Sequence, residues 1–303
     1  MELHQLRYFV AIAETGNFTR ASERNHVSQP SLSQQIQKLE TEIGHKLFHR
    51  LGRKAVLTEA GTAFLERARR ILFEVENATK ELGDKRGLGR RITVGAVQTV
   101  MPYLITPLIA KLRNEHPNLL IGAREDFRGS LLRAVIEGDV DLAVVPQPVK
   151  DHRISIEPLF TEPLLLVVGR SHRIASRSEI SVADLVEETF VSLGDSSSLA
   201  AQIQAFFGDL QFRPNIAFRC AQVATLKQIV ASGLGISLLP ELARQADDHE
   251  SLTYLRLTGS EPRRELVVIR HLQRYQSRGA EQFLALLREH VGARETAATK
   301  ATG

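Results

Sequence analysis

The 303-residue chain is 43% hydrophobic but has no apolar run near 18 residues, which excludes a membrane-spanning segment and leads one to expect a soluble protein of two or three domains. A single cysteine, Cys220, excludes an intramolecular disulfide framework; with no signal-peptide pattern, the expected setting is the cytoplasm, with Cys220 a small buried hydrophobe. The net charge of +4 is lopsided: residues 1–90 hold 15 Lys and Arg against 11 Asp and Glu, and the remainder 24 against 24. The excess sits where a phosphate-contacting module would need it, though a surplus of four does not by itself identify one.

In chain order, Leu3, Leu6, Phe9, Val10 and Ala13 follow helical spacing up to Gly16. Residues 17–44 then predict two short helices joined by a tight turn. In the second, Leu32, Ile36, Leu39 and Ile43 stack on one face. The opposite face carries the ridges Gln29, Ser33, Gln37 and Pro30, Gln34, Lys38. It is polar but barely charged, which suits either solvent or base edges. Ser28 is a reasonable N-cap and Pro30 a tolerated first-turn residue, so the helix begins at its candidate reading residues. Residues 46–57 predict a two-stranded wing around a basic Gly-containing turn, with Arg50, Arg53 and Lys54 placed to grip phosphates or enter a minor groove.

The series Leu6-Arg7-Tyr8-Phe9-Val10, Asn17-Phe18-Thr19-Arg20-Ala21-Ser22, Val27-Ser28-Gln29-Pro30-Ser31-Leu32-Ser33, Ile36-Gln37-Lys38-Leu39-Glu40, Gly44, Leu47-Phe48 and Leu57-Thr58-Glu59-Ala60-Gly61 resembles the N-terminal signature of LysR-type transcriptional regulators. The resemblance is strongest over residues 3–65 and extends along nearly the whole chain. It implies a winged helix-turn-helix DNA-binding domain over 1–58, with Gln29, Pro30, Ser31, Ser33, Gln34, Arg50 and Arg53 at the DNA. The exposed ridge of the second helix adds Lys38.

Residues 58–82 predict a longer helix on which Phe64, Ala68, Ile71, Val75, Ala78 and Leu82 form a heptad seam. It could pair with a second copy or pack on its own chain. The family uses it to dimerise, which implies a homodimer through residues 59–82 and a palindromic double-stranded operator. A hinge follows at 83–89, closing the linker region 59–90. Strands at 92–96, 119–124, 141–145, 164–168, 216–220, 236–239 and 266–269 alternate with helices, so residues 91–303 are expected to form an α/β module, with a disordered tail at about 295–303.

The resemblance implies that this module is a two-lobed effector domain similar to periplasmic solute-binding proteins. We place lobe I at about 91–161 and 268–292 and lobe II at about 162–267. Loops leaving strand ends nominate Gln98, Thr99, Arg128, Ser196, Ser197 and Thr225 as effector-binding residues. Hydroxyls at a helix N-terminus with an arginine opposite favour an anion such as a carboxylate. Residues 99–104 and 233–240 look most like the peroxide-sensing branch. The positions matching that branch's cysteine pair are Ser198 and Phe207, so a disulfide switch is not expected.

Two other classes compete. An enzyme lacks support: there is no G-x-S-x-G elbow, P-loop or H-E-x-x-H, Gly233-Leu234-Gly235 breaks the dinucleotide pattern, and Asp247-Asp248-His249 lies in a polar loop. No cofactor or metal is therefore expected. An architectural DNA binder would not need some 200 neutral α/β residues. The expected mechanism is a two-state switch: effector binding changes the lobe angle, the packing of dimers into a homotetramer, and contact with RNA polymerase.

Overall fold

Three helices and a hairpin meet in one core over the first of two units, Met1–Lys85 and Arg86–Gly303. The computed structural model describes the backbone of residues 1–51, 54–84 and 91–301, and side chains other than those of 51, 80–84 and 295–301. Helix α1 (Leu3–Thr15) ends at Gly16, whose φ of 62° is left-handed, the conformation glycine adopts without steric cost. Helix α2 (Phe18–Arg24) starts on Asn17, whose Oδ1 accepts from the N–H groups of Thr19 and Arg20. Helix α3 (Gln29–Ile43) starts on Ser28 with Pro30 in its first turn, as its sequence requires. Strands β1 (Phe48–Leu51) and β2 (Lys54–Leu57) pair antiparallel as the wing. Residues 52 and 53, and with them the candidate Arg53, lie outside the described residues.

Leu6, Phe9, Ile12, Leu32, Ile36, Leu39, Leu47 and Phe48 form the core, each contributing about 1.5–3 kcal/mol of burial. On α1 the buried face differs from the sequence reading. Leu3 is exposed and Val10 and Ala13 only half-buried, whereas Ala11 and Ile12 are buried. The cause is a fourth helix, α4 (Glu59–Asp84), which covers another side of α1 and sets the Phe64 ring 5.2 Å from that of Phe9. The proposed seam on α4 is thereby divided. Ala68 is fully buried and Phe64 half-buried in the module's own core, and only Ile71, Val75 and Ala78 remain outside it. The side chain of Leu82 and the hinge residues after 84 lie outside the described residues.

Thr58 caps α4, its Oγ1 accepting from Gly61 N–H at 2.9 Å while donating to the Lys46 carbonyl at 2.6 Å. This draws the helix so close to the wing that a Cβ on Gly61 would lie 2.1 Å from the Leu47 carbonyl oxygen. In an open helix Gly→Ala gains up to about 1 kcal/mol. Here the contact is backbone and cannot yield cheaply, so Gly61→Ala is expected to destabilise the unit by about 1–3 kcal/mol. A lowered thermal midpoint checks this; a raised one would show that α4 shifts freely.

The second unit is α/β. Strand β3 (Ile92–Ala96) leads through a π turn at Met101–Ile105 into α5 (Thr106–Glu115), then β4 (Ile121–Glu125), α6 (Arg128–Glu137) and β5 (Leu142–Pro146). β4, β3 and β5 lie parallel in that order. Strand β6 (Ile154–Gly169) runs 16 residues through both lobes. Then come β7 (Thr189–Leu193), α7 (Ser198–Asp209), β8 (Asn215–Cys220), α8 (Val223–Ala231), β9 (Ser237–Pro240), β10 (Leu252–Leu255), β11 (Arg263–His271) and α9 (Arg278–Ala301). β11 returns antiparallel between β5 and β6, giving lobe I the order β4-β3-β5-β11-β6. The far half of β6 pairs with β9 and β10, and Val191 and Ile236 join β9 to the parallel pair β7–β8. Leu164 and Val167 face one lobe II core, Leu166 and Val168 the other, which explains the unbroken apolar run there. The backbone of α9 is helical to Ala301. Residues 302 and 303, the end of the tail expected at about 295–303, lie outside the described residues.

Candidate nucleic-acid interface and effector site

Gln29, Pro30, Ser31, Gln34 and Lys38 are all exposed on α3, and Ser33 is half-buried beside them. The helix is fixed beneath them by its buried stripe and by Ser28, whose Oγ accepts from Ser31 N–H at 3.3 Å. Arg50 does not extend away from this face. Its Nη2 donates to Ser33 Oγ at 2.9 Å, and its guanidinium lies 4.6 Å over the Phe18 ring. Sequence reasoning missed the residue that holds wing to helix, Glu40. It is 6% exposed, and its Oε1 accepts from the N–H groups of Leu47 at 2.9 Å and Phe48 at 3.3 Å. A carboxylate directly after Leu39 of the apolar stripe, eight residues before β1, was the available signal.

In the effector unit the candidates are dispersed over several environments. Gln98 is half-buried after β3. Thr99 is 2% exposed, and its Oγ1 accepts from Arg264 Nη1 at 2.7 Å. Arg264 also donates through Nε and Nη2 to Glu162 Oε1 at 2.9 and 2.8 Å, while Glu162 Oε2 accepts from Leu242 N–H at 2.6 Å. The Arg264 side chain has no exposure, and burial pulls its pKa down against the opposing attraction of Glu162. Arg128, at the start of α6, donates to the Pro146 carbonyl at 3.5 Å. The next carbonyl, Gln147, accepts from Gln202 of α7 at 3.2 Å. Ser197 is buried without capping α7, Ser196 is exposed before it, and Thr225 stands exposed in the first turn of α8.

A second buried cation, Lys227, donates to Asp248 Oδ2 at 2.6 Å, the Ala243 carbonyl at 2.7 Å and Gln245 Oε1 at 3.3 Å. Tyr254 OH donates to the same Asp248 oxygen at 2.6 Å. Burial alone would raise Asp248, but the bonds from Lys227, Tyr254 and Gln245 N–H leave it lowered. Asp248 therefore belongs to a packed turn at Ala246–Glu250 rather than the loop read from sequence. Tyr103, in the π turn, lies with its ring 5.5 Å from Lys227 Nζ, and burial pushes its hydroxyl up to about 12.

Two family models match the chain: the bacterial regulatory helix-turn-helix protein of the lysR family over residues 3–62, and the LysR substrate binding domain over 85–292. The chain is a LysR-type transcriptional regulator. This LysR-type regulator is similar to the DNA-binding transcriptional dual regulator OxyR of Escherichia coli, at 36% identity over 273 residues and 89% of each chain. Its fold matches a cysteine-to-aspartate variant of full-length OxyR from Pseudomonas aeruginosa with TM-score 0.69 and 27% identity, covering 96% of this chain and 94% of that one. It also matches full-length CbnR complexed with target DNA, with TM-score 0.55 and 25% identity over 96% and 100% of the two chains. Within the regulator, Ser198 opens α7 and Phe207 is 1% exposed, packed between Phe190 at 5.5 Å and Phe212 at 4.8 Å. Burial raises the thiol pKa of Cys220, whose Sγ donates to the Ser192 carbonyl. Among the described residues, no helix is long and apolar enough to cross a membrane.

Proposed function

We propose that this regulator senses a small anionic effector, of which carboxylates are the first class, bound between the lobes of its second unit. The observation that carries the reading is the convergence on the end of β5. Successive carbonyls, Pro146 and Gln147, accept from Arg128 of one lobe and Gln202 of the other. A guanidinium and the N-terminal half of α7, with Ser196 and Ser197 at its start, thus approach the same backbone corner. A carboxylate there would meet a charge, hydroxyls and a favourable helix dipole. An aromatic cluster around Phe207 and a half-buried, high-pKa Cys220 favour ligand sensing over thiol chemistry.

The remaining parts follow from the same reading. Gln29, Pro30, Ser31, Ser33, Gln34 and Lys38 read bases in a palindromic operator, while Arg50 and Arg53 engage its backbone. Two copies pair through the open part of α4, pairs associate into tetramers, and the effector redistributes two arrangements of the assembly according to its differential affinity. The altered DNA path then changes contact with RNA polymerase, in the cytoplasm. Calorimetry of the full chain against size-matched carboxylates, amides and alcohols tests the effector class. Carboxylates are expected to bind, and Arg128→Ala to weaken them about tenfold or more. Binding by neutral compounds alone, unaffected by Arg128→Ala, would overturn the anionic assignment.

A further inference from the structure

One contact joins the wing to the reading helix through a side chain whose role goes beyond phosphate charge. Arg50 belongs to β1, bonds Ser33 of α3 at 2.9 Å and stacks over Phe18 of α2 at 4.6 Å. Phe18 is held edge-on by the buried Phe48 at 5.8 Å. One guanidinium thus touches three elements. Ring stacking and a hydrogen bond together restrict its rotation, and a planar fork loses little further freedom when it acts.

The consequence falls on Ser33. A serine hydroxyl has one proton to donate and two lone pairs to accept with, so by itself it suits several bases. Arg50 engages one lone pair with a charged donor. An adenine or cytosine amino group approaching the same oxygen would bring a second partial positive charge against that cation. A purine N7, guanine O6 or thymine O4 would instead accept from a hydroxyl that the guanidinium has polarised. We propose that Arg50 is a specificity-determining positioning residue: it holds Ser33 as a donor, so that the operator position facing Ser33 must present an acceptor. This rests on the reading that the exposed face of α3 contacts base edges.

The test is selection of DNA from a randomised pool by the full-length protein at two salt concentrations, using wild type, Ser33→Ala, Arg50→Gln and the double variant. Arg50 is exposed and Ser33 half-buried on the helix face, and melting curves verify that the variants are folded. Ser33→Ala is expected to flatten the preference at one base position by about tenfold. Arg50→Gln is expected to flatten the same position, and the double variant to lose no more discrimination than either single one. If Arg50→Gln weakens all sequences alike and lowers the salt slope by about one, leaving the Ser33-dependent preference intact, Arg50 is no more than a phosphate contact and the proposal fails. If Ser33→Ala alters no base preference, the reading of α3 fails and the proposal with it.

Discussion

Replacing Glu162 with alanine is expected to destabilise the effector unit by about 3–5 kcal/mol, because it leaves the Arg264 guanidinium buried without its counter-ion. Arg264 has no exposed side-chain surface and Glu162 only 4%, so water cannot stand in for the lost carboxylate. The Leu242 N–H loses its acceptor in the same step. Breaking such a pair costs far more than removing both halves, since each charge was desolvated on the strength of the other. Glu162→Leu combined with Arg264→Met is therefore expected to recover most of the loss. Urea denaturation followed by circular dichroism measures both variants. A Glu162→Ala midpoint equal to wild type would mean that the guanidinium reaches solvent on its own.

Glu40→Ala is expected to cost about 2–6 kcal/mol, since two buried N–H groups, Leu47 and Phe48, lose one acceptor at roughly 1–3 kcal/mol each. The wing strand then loses its anchor to α3, and DNA affinity falls with it. Lys46→Ala is the informative control. The Lys46 side chain is 75% exposed and also bonds Glu40, at 2.9 Å, but an exposed cation of this kind contributes little. A melt in which Lys46→Ala matched Glu40→Ala would show that the ion pair, rather than the N–H bonds, holds the wing.

The helix-turn-helix was legible because its stripe, Leu32, Ile36 and Leu39, is buried against local partners within one small core. Strand β3 and the apolar half of β6 were legible for a similar reason: consecutive apolar residues have few other places to go. The first half of β6 was missed because Pro158 and Pro163 speak against a strand, yet it pairs along its length with β11. Strands β7 and β10, of five and four residues, carry too little pattern to register. At the candidate effector site, loop positions nominated Thr99 and Arg128, but nothing local shows that Thr99 is bonded by a residue 165 positions away. Glu162 and Arg264 are 102 positions apart, and a pairing at that distance is set by topology, not by spacing.

The burial of Phe64 and Ala68 in the winged module makes that module and α4 a single lever. The helix has 26 residues, roughly 39 Å at 1.5 Å per residue. Pivoting such an arm by about 10° at its far end carries the winged module through an arc of roughly 7 Å, or about two base-pair steps at 3.4 Å each. Because the first turns of α4 are locked to Phe9, little of that stroke is absorbed as bending where the arm meets its load. A small angular change at the distal end of the helix would thereby be geared up into a change of register along a bound duplex.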